Sequence, residues 1–350
     1  MSKNIVLCLD GTGNQLRAKG NTNVVLLYQM LDLSDPERQV AFYDPGVGTF
    51  SAKGAWTGIS QKLTKALGLL FGYGIKDNLA EAYTFLMGHY RPGDQIFVFG
   101  FSRGAFTARA LSGMSYRAGL MRPGAENVVA YLVSSYTKGS DWSGGDWDKI
   151  DQFAATFSHD HDGSLALPLH FLGLWDSVKA LGYLRWDPKW PYTRQLPNAR
   201  TIRHAVSIDE KRRPYPEYLV RPTERSDLSE VWFAGVHSDV GGTFVDDGRL
   251  SRITLKWMTD QALEAGLLLR KDAYRKTCQV KPGDALGTLH RMGWLWVLAT
   301  YRRRPMPEGA RVHDSVKDRI AADIGYGLPT EVGEDAWADQ GWTEPSALAP

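Results

Sequence analysis

Two cysteines in 350 residues, Cys8 and Cys278, allow at most one bridge, so no disulfide framework can hold this chain together. Cys8 lies in the apolar run 5–9, where a thiol reads as a small buried hydrophobe. Nowhere do about 18 consecutive apolar residues occur, which excludes a membrane-spanning helix. The N-terminal apolar run is too short for a signal-peptide core and passes directly into a glycine-rich loop. It reads as the first strand of a protein that is soluble and cytoplasmic where it is made, with export by a signal-independent route left open. An excess of one charge sign is missing too: 41 Lys and Arg face 39 Asp and Glu, a formal net charge of +2. That balance offers no electrostatic footprint for nucleic acid and none for an anionic bilayer, so any lipid contact must be apolar and local.

Apolar side chains make up 43% of the chain, enough to bury one large core, and a single elaborated domain over 1–350 is expected. The first 115 or so residues alternate short β-rich runs with helix-period segments, which implies crossover connections and a mostly parallel sheet flanked by helices. Strands are expected at 5–9, 39–43 and 95–100, and a helix at 23–31. A second helix carries the stripe Ile75, Leu79, Ala82, Tyr83 and Leu86. Between them, 46–74 reads as a long excursion holding a short amphipathic helix on Trp56, Leu63, Leu67 and Leu70. Further on, a strand is expected at 167–175, another at 231–236 and a helix at 253–268. The core therefore comprises about 4–120, 165–177 and 200–268. Residues 120–164, with Trp142, and 178–199, with Tyr183, Trp186, Trp190 and Tyr192, read as cap-like insertions. Residues 270–350 form a weakly patterned C-terminal extension.

The sharpest local signal is Gly100-Phe101-Ser102-Arg103-Gly104, between an apolar strand and a segment of helical composition. A serine hydroxyl is a weak nucleophile at neutral pH and needs a base in reach and donors for the oxyanion. A tight strand-to-helix turn lifts Ser102 above the sheet edge, requires small residues at Gly100 and Gly104, and aims the Arg103 amide at the developing charge. This is the nucleophile elbow of an α/β-hydrolase. Its triad partners follow in the order acid, then histidine. Asp176 leaves the strand that ends at Trp175, with Asp209 and Asp239 as rivals; Asp239 is better placed to cap the turn after His237. His237 ends the strand 231–236 and is preferred as base over His159, His161, His170, His204 (on an expected helix), His290 and His313.

Three other features have competing readings. Leu9-Asp10-Gly11-Thr12-Gly13-Asn14 lacks the first aspartate of a haloacid-dehalogenase phosphatase, since Cys8 occupies that position, and lacks the third glycine of a dinucleotide fold. It reads as the second half of an oxyanion hole, from amides near Gly11, Thr12 and Gly13, with Asp10 bracing the loop. The alternative is a turn without chemistry. His159-Asp160-His161-Asp162-Gly163 holds metal-ligand residue types without ligand spacing, so it reads as a solvated loop and no metal is expected. Arg103 could bind a substrate carboxylate or phosphate, or form a surface ion pair.

The segments 9–14, 43–48, 100–105, 172–177, 207–212 and 235–242, taken in order, resemble the DUF2235 family, whose α/β-hydrolase domain is also the catalytic part of bacterial type VI secretion phospholipase effectors of the Tle1 type. The resemblance spans about residues 4–265. It implies a triad of Ser102, Asp176 and His237 and phospholipase activity on glycerophospholipids without a cofactor. Ester hydrolysis is the broader expectation, on a lipid or a small-molecule ester. A hydrolase fold used only for binding is the rival from another class.

Overall fold

The computed structural model describes residues 2–11, 19–46, 63–138, 144–161, 163–179, 189–213, 215–291 and 302–338, with backbone alone over 63–73 and at 144. In chain order the elements begin β1 (Asn4–Leu9), α1 (Asn23–Met30), β2 (Gln39–Asp44), α2 (Leu63–His89), β3 (Gln95–Phe101) and α3 (Arg103–Ala118). There follow α4 (Val129–Tyr136), α5 (Gly144–Phe157), β4 (Leu169–Trp175), β5 (Ala199–Ser207), β6 (Asp227–Phe233) and the short α6 (His237–Gly241). Then come α7 (Arg249–Glu264), α8 (Lys271–Thr277), β7 (Arg311–His313), α9 (Ser315–Ala321) and β8 (Trp337–Ala338). The strands form one sheet in the order β2-β1-β3-β4-β5-β6-β7-β8, with every described ladder parallel. This is the α/β-hydrolase-like architecture expected from the sequence.

A parallel sheet must be covered on both faces, so its central strands β1, β3 and β4 are largely apolar and successive residues serve opposite layers. In β1, Ile5, Leu7 and Leu9 join the cluster built with α2, α3 and α4, while Val6 and Cys8 join that of α1 and α7. Both cysteines are buried free thiols. Among the described residues no helix is long and apolar enough to cross a membrane.

The helices start where their chemistry dictates. The Thr22 side chain caps α1 by accepting from Val25 N–H (3.2 Å). Asn23, fully buried, donates through Nδ2 to Val240 O (2.9 Å) and Ser251 O (3.0 Å), tying α1 to the segment after β6 and to α7. Replacing Asn23 with alanine leaves these buried carbonyls short of a donor. Urea titration is expected to show a loss of about 1–3 kcal/mol with an unchanged m value.

Three expectations change. The helix on Leu63, Leu67 and Leu70 is not a separate element: α2 runs unbroken over 27 residues. Its glycines each cost only about 1 kcal/mol of helix propensity, less than the helix gains by burying Ile75, Leu79, Tyr83 and Leu86. Trp56 lies outside the described residues, as do Trp142, Tyr183 and Trp186. His204 sits in strand β5, not a helix. Its Nδ1–H donates to Glu230 Oε2 on β6 (2.7 Å) and its Nε2 accepts from Ser177 N–H (3.3 Å), so neighbouring strands satisfy a polar side chain that disguises the strand pattern. Finally, the C-terminal extension contributes β7 and β8 to the sheet, with Val312 and Val316 packed against Val206 and Trp232.

Candidate active site

At the end of β3 the backbone of Ser102 adopts φ 59° and ψ −120°, a region that costs a residue other than glycine about 1–3 kcal/mol and is held only by surrounding structure. Two restraints are visible. Ser102 N–H donates to Trp175 O (3.1 Å), and α3 begins at the next residue. Gly104 lets that helix approach β1: a Cβ there would lie 2.1 Å from Leu9 O and 2.5 Å from Asp10 O. The elbow and the Asp10 loop are therefore pressed together at the C-terminal edge of the sheet.

β4 ends one strand away, and Asp176 follows it, with φ 38° and its N–H donating to Ala205 O (2.7 Å). After β6, Val236 leads into α6, whose first residue is His237. The three side chains meet. The Asp176 carboxyl is held well below the usual carboxylate range: burial raises it, but the Arg304 charge and the His237 contacts outweigh burial. An ionised carboxylate can only accept, so His237 Nδ1–H donates to Asp176 Oδ2 (2.5 Å), which leaves Nε2 to accept from Ser102 Oγ–H (2.9 Å). The imidazole is fixed from the sides as well, with its centroid 4.6 Å from that of Phe101 and 5.1 Å from that of Tyr215. Gly241 makes this stack possible, because a Cβ there would lie 1.9 Å from the Phe101 ring.

Residues 3–261 match the catalytic domain of the Tle1-like phospholipase effectors of type VI secretion systems. The chain belongs to this family. An uncharacterized protein of Saccharomyces cerevisiae is 35% identical over 236 residues, covering 63% of this chain and 33% of its own length. The chain thus spans about a third of that curated relative, and its relatives are not confined to bacteria. Among solved structures, an uncharacterized Pseudomonas aeruginosa protein aligns at 18% identity and a TM-score of 0.46, over 93% of this chain and 51% of the other. A Tle1 effector bound to the VgrG spike of the type 6 secretion system aligns at 18% identity and a TM-score of 0.40, over 69% and 51%.

One residue at the site escapes both the family match and the sequence reading. Arg304, buried in the C-terminal extension, donates to Asp176 Oδ1 through Nη1 (2.5 Å) and to Oδ2 through Nη2 (3.1 Å). Its remaining donors reach Ser207 O and Tyr215 O, so the guanidinium is saturated. The run Arg302-Arg303-Arg304 carries no periodic signal that would single out its last member. Glu210 was also missed as an individual residue. It is fully buried, is clamped by Arg212 (2.9 and 2.8 Å), and accepts the His237 backbone N–H (3.2 Å). Burial raises the Glu210 carboxyl, and Arg212 more than reverses the effect. Arg212 in turn lies over the Tyr215 ring at 3.8 Å.

The rival acids are occupied elsewhere. Asp209 accepts from Gly235 N–H (2.8 Å) and Tyr326 O–H (2.9 Å). Asp239 caps α6 through Val236 N–H (3.0 Å) and pairs with His290 Nδ1 (2.5 Å). Gly11 N–H donates to Asp10 Oδ1 (2.7 Å) and is engaged within its own loop, whereas Thr12 and Gly13 lie outside the described residues. Asp10 braces that loop, accepting also from Thr22 Oγ1 (2.6 Å) and the Tyr43 hydroxyl (3.1 Å). Arg103 is buried rather than in a surface ion pair. Burial pushes its guanidinium down to about 10, which keeps it charged at neutral pH.

The remaining histidines have structural partners. His159 and His161 pack on Tyr90, and His313 stacks on Phe233. Among the described residues, no group of three His, Cys, Asp or Glu is arranged to hold a metal ion. Of the cap aromatics, Trp190 is buried against Phe106 and Tyr136, as core packing requires.

Proposed function

We propose that this protein hydrolyses carboxylic esters of lipids through an acyl-enzyme on Ser102. The observation that carries the reading is the continuous relay from Asp176 Oδ2 through His237 to Ser102 Oγ, with bonds of 2.5 and 2.9 Å, on a strained strand-to-helix turn. In the first step Ser102 Oγ bonds to the acyl carbon while His237 Nε2 takes its proton. The Arg103 backbone N–H, at the N-terminus of α3, is the donor that the elbow directs at the oxyanion. The carbon–oxygen bond to the alcohol then breaks, and the His237 proton leaves with that oxygen. Water repeats the sequence on the acyl-enzyme: His237 accepts its proton, the carboxylic acid departs, and Ser102 Oγ regains a proton. Asp176 keeps its charge throughout and stabilises the imidazolium.

Membership in a family of phospholipase effector domains supports lipid acyl esters as the substrate class. Intact-mass spectrometry after treatment with a fluorophosphonate is expected to give one adduct, on Ser102. It should be absent in Ser102→Ala and strongly slowed in His237→Ala, with fatty acid released from phospholipid by the wild type alone. Folded wild-type protein that stays unlabelled would sink the mechanism. Labelling without lipid cleavage would restrict the activity to small esters.

A further inference from the structure

The nearly neutral whole-chain charge conceals a local concentration of cations beside His237. Arg302 N–H donates to Lys211 O (2.8 Å), which sets the run Lys211-Arg212-Arg213 against Arg302-Arg303-Arg304. Two of these six charges are neutralised inside the protein, Arg212 by Glu210 and Arg304 by Asp176. Lys211, Arg213, Arg302 and Arg303, joined by Arg291, make no side-chain hydrogen bond or ion pair among the described residues, although the Lys211 charge acts on Asp209. Three of them, Lys211, Arg291 and Arg303, line a cavity of about 710 Å³ together with His290, Asp209 and Val236. Val236 immediately precedes His237. Arg303 also lines a second, smaller cavity with Tyr215, whose ring packs on the imidazole, and with Arg304.

The other charged groups facing the larger cavity already have partners. Asp209 is bound by Gly235 N–H and Tyr326 O–H, and the His290 nitrogens face Asp239 and Asp246. What remains is a concave site whose three basic side chains outnumber its one carboxylate, Asp209, and whose wall includes Val236, the residue before His237. Cations arranged around a cavity of that size recognise a phosphate oxyanion through charge-assisted hydrogen bonds.

We propose that the cavity lined by Lys211, Arg291 and Arg303 binds the headgroup phosphate of a phospholipid. The proposal rests on the ester-hydrolase reading for its choice of a lipid as the source of the phosphate, and it names a contact that selects phospholipids over neutral acylglycerols.

Calorimetry on the full chain carrying Ser102→Ala separates binding from turnover, so the result does not depend on whether the serine mechanism holds. The probes are dihexanoyl phosphatidylglycerol below its micelle concentration, dihexanoylglycerol and inorganic phosphate. The phospholipid is expected to bind at least about tenfold more tightly than dihexanoylglycerol. Adding Lys211→Ala and Arg303→Ala should abolish that preference, and Lys211→Arg with Arg303→Lys should retain it, as a charge-based contact requires. A preference that survives removal of both cations would overturn the proposal. So would inorganic phosphate binding as tightly as the phospholipid, since the source would then be free phosphate. The mechanism is judged separately by labelling of Ser102.

Discussion

Asp176→Asn is expected to lower kcat on a soluble ester by about 10⁴-fold while the protein remains folded. The size of the effect follows from Arg304. In the wild type both carboxylate oxygens accept: Oδ1 from Arg304 Nη1 (2.5 Å) and Ser207 N–H (3.0 Å), and Oδ2 from His237 Nδ1 (2.5 Å) and, at longer range, Arg304 Nη2 (3.1 Å). An asparagine has one oxygen and one NH₂ to divide between these neighbours, and a guanidinium can only donate, so the amide oxygen turns to Arg304. The NH₂ group then faces His237 Nδ1 and stabilises the tautomer protonated at Nε2. That nitrogen can no longer accept from Ser102. Asp176→Ala lacks this bias and should keep more activity than the isosteric variant, although it strands the Arg304 charge. Steady-state kinetics with fluorophosphonate titration of active sites checks the order. An asparagine variant more active than the alanine variant would refute the argument.

Arg304→Met is expected to destabilise the protein by about 3–5 kcal/mol, because it leaves a buried carboxylate without its bidentate partner. Denaturant titration measures that loss. A second signature separates electrostatics from packing. Burial raises the Asp176 carboxyl and Arg304 holds it down, so its folded-state value lies below the unfolded one. A group depressed in this way contributes stability above the ordinary carboxylate pKa of about 3.9, and that stability is lost as pH falls toward the folded value. Without Arg304 burial is less opposed, so the folded-state value rises toward the unfolded one and the acid-dependent loss of stability from this group shrinks. Activity, which needs the Asp176 carboxylate ionised, is then lost at a higher pH, so the acid limb of kcat/KM moves upward. Arg304→Lys, which keeps the charge but cannot pair with both oxygens, should fall between the two. A lowered plateau with an unmoved limb would mean that Arg304 serves only as packing.

The legible parts of the fold were those whose requirements are local. β1, β3 and β4 read as apolar runs because each is covered on both faces. The stripe on α2 from Ile75 to Leu86 read as a helix because one side faces the core. His204 misled because Arg203 and His204 interrupt the apolar pattern of β5, and their partners Asp227 and Glu230 lie on or at the start of β6. The two C-terminal strands, of three and two residues, are too short to show any period. Net charge misled in another way, since a sum over the chain cannot register that two basic runs lie side by side.

The strand-turn-helix at Ser102 was legible in the residues themselves, as was a strand ahead of His237, although β6 ends at Phe233 and His237 opens α6. A tight turn between a buried strand and a helix makes demands on five consecutive residues, and those demands are met in plain view. Which carboxylate reaches the imidazole was decided by tertiary structure. Asp176 and His237 are 61 positions apart and come together only because β4 and β6 flank β5 in a parallel sheet whose strand ends share one edge. Arg304 lies 128 positions from Asp176, in sequence without a pattern. Its role exists only because a buried carboxylate with two oxygens, facing one imidazole, has room and electrostatic need for a second, charged donor.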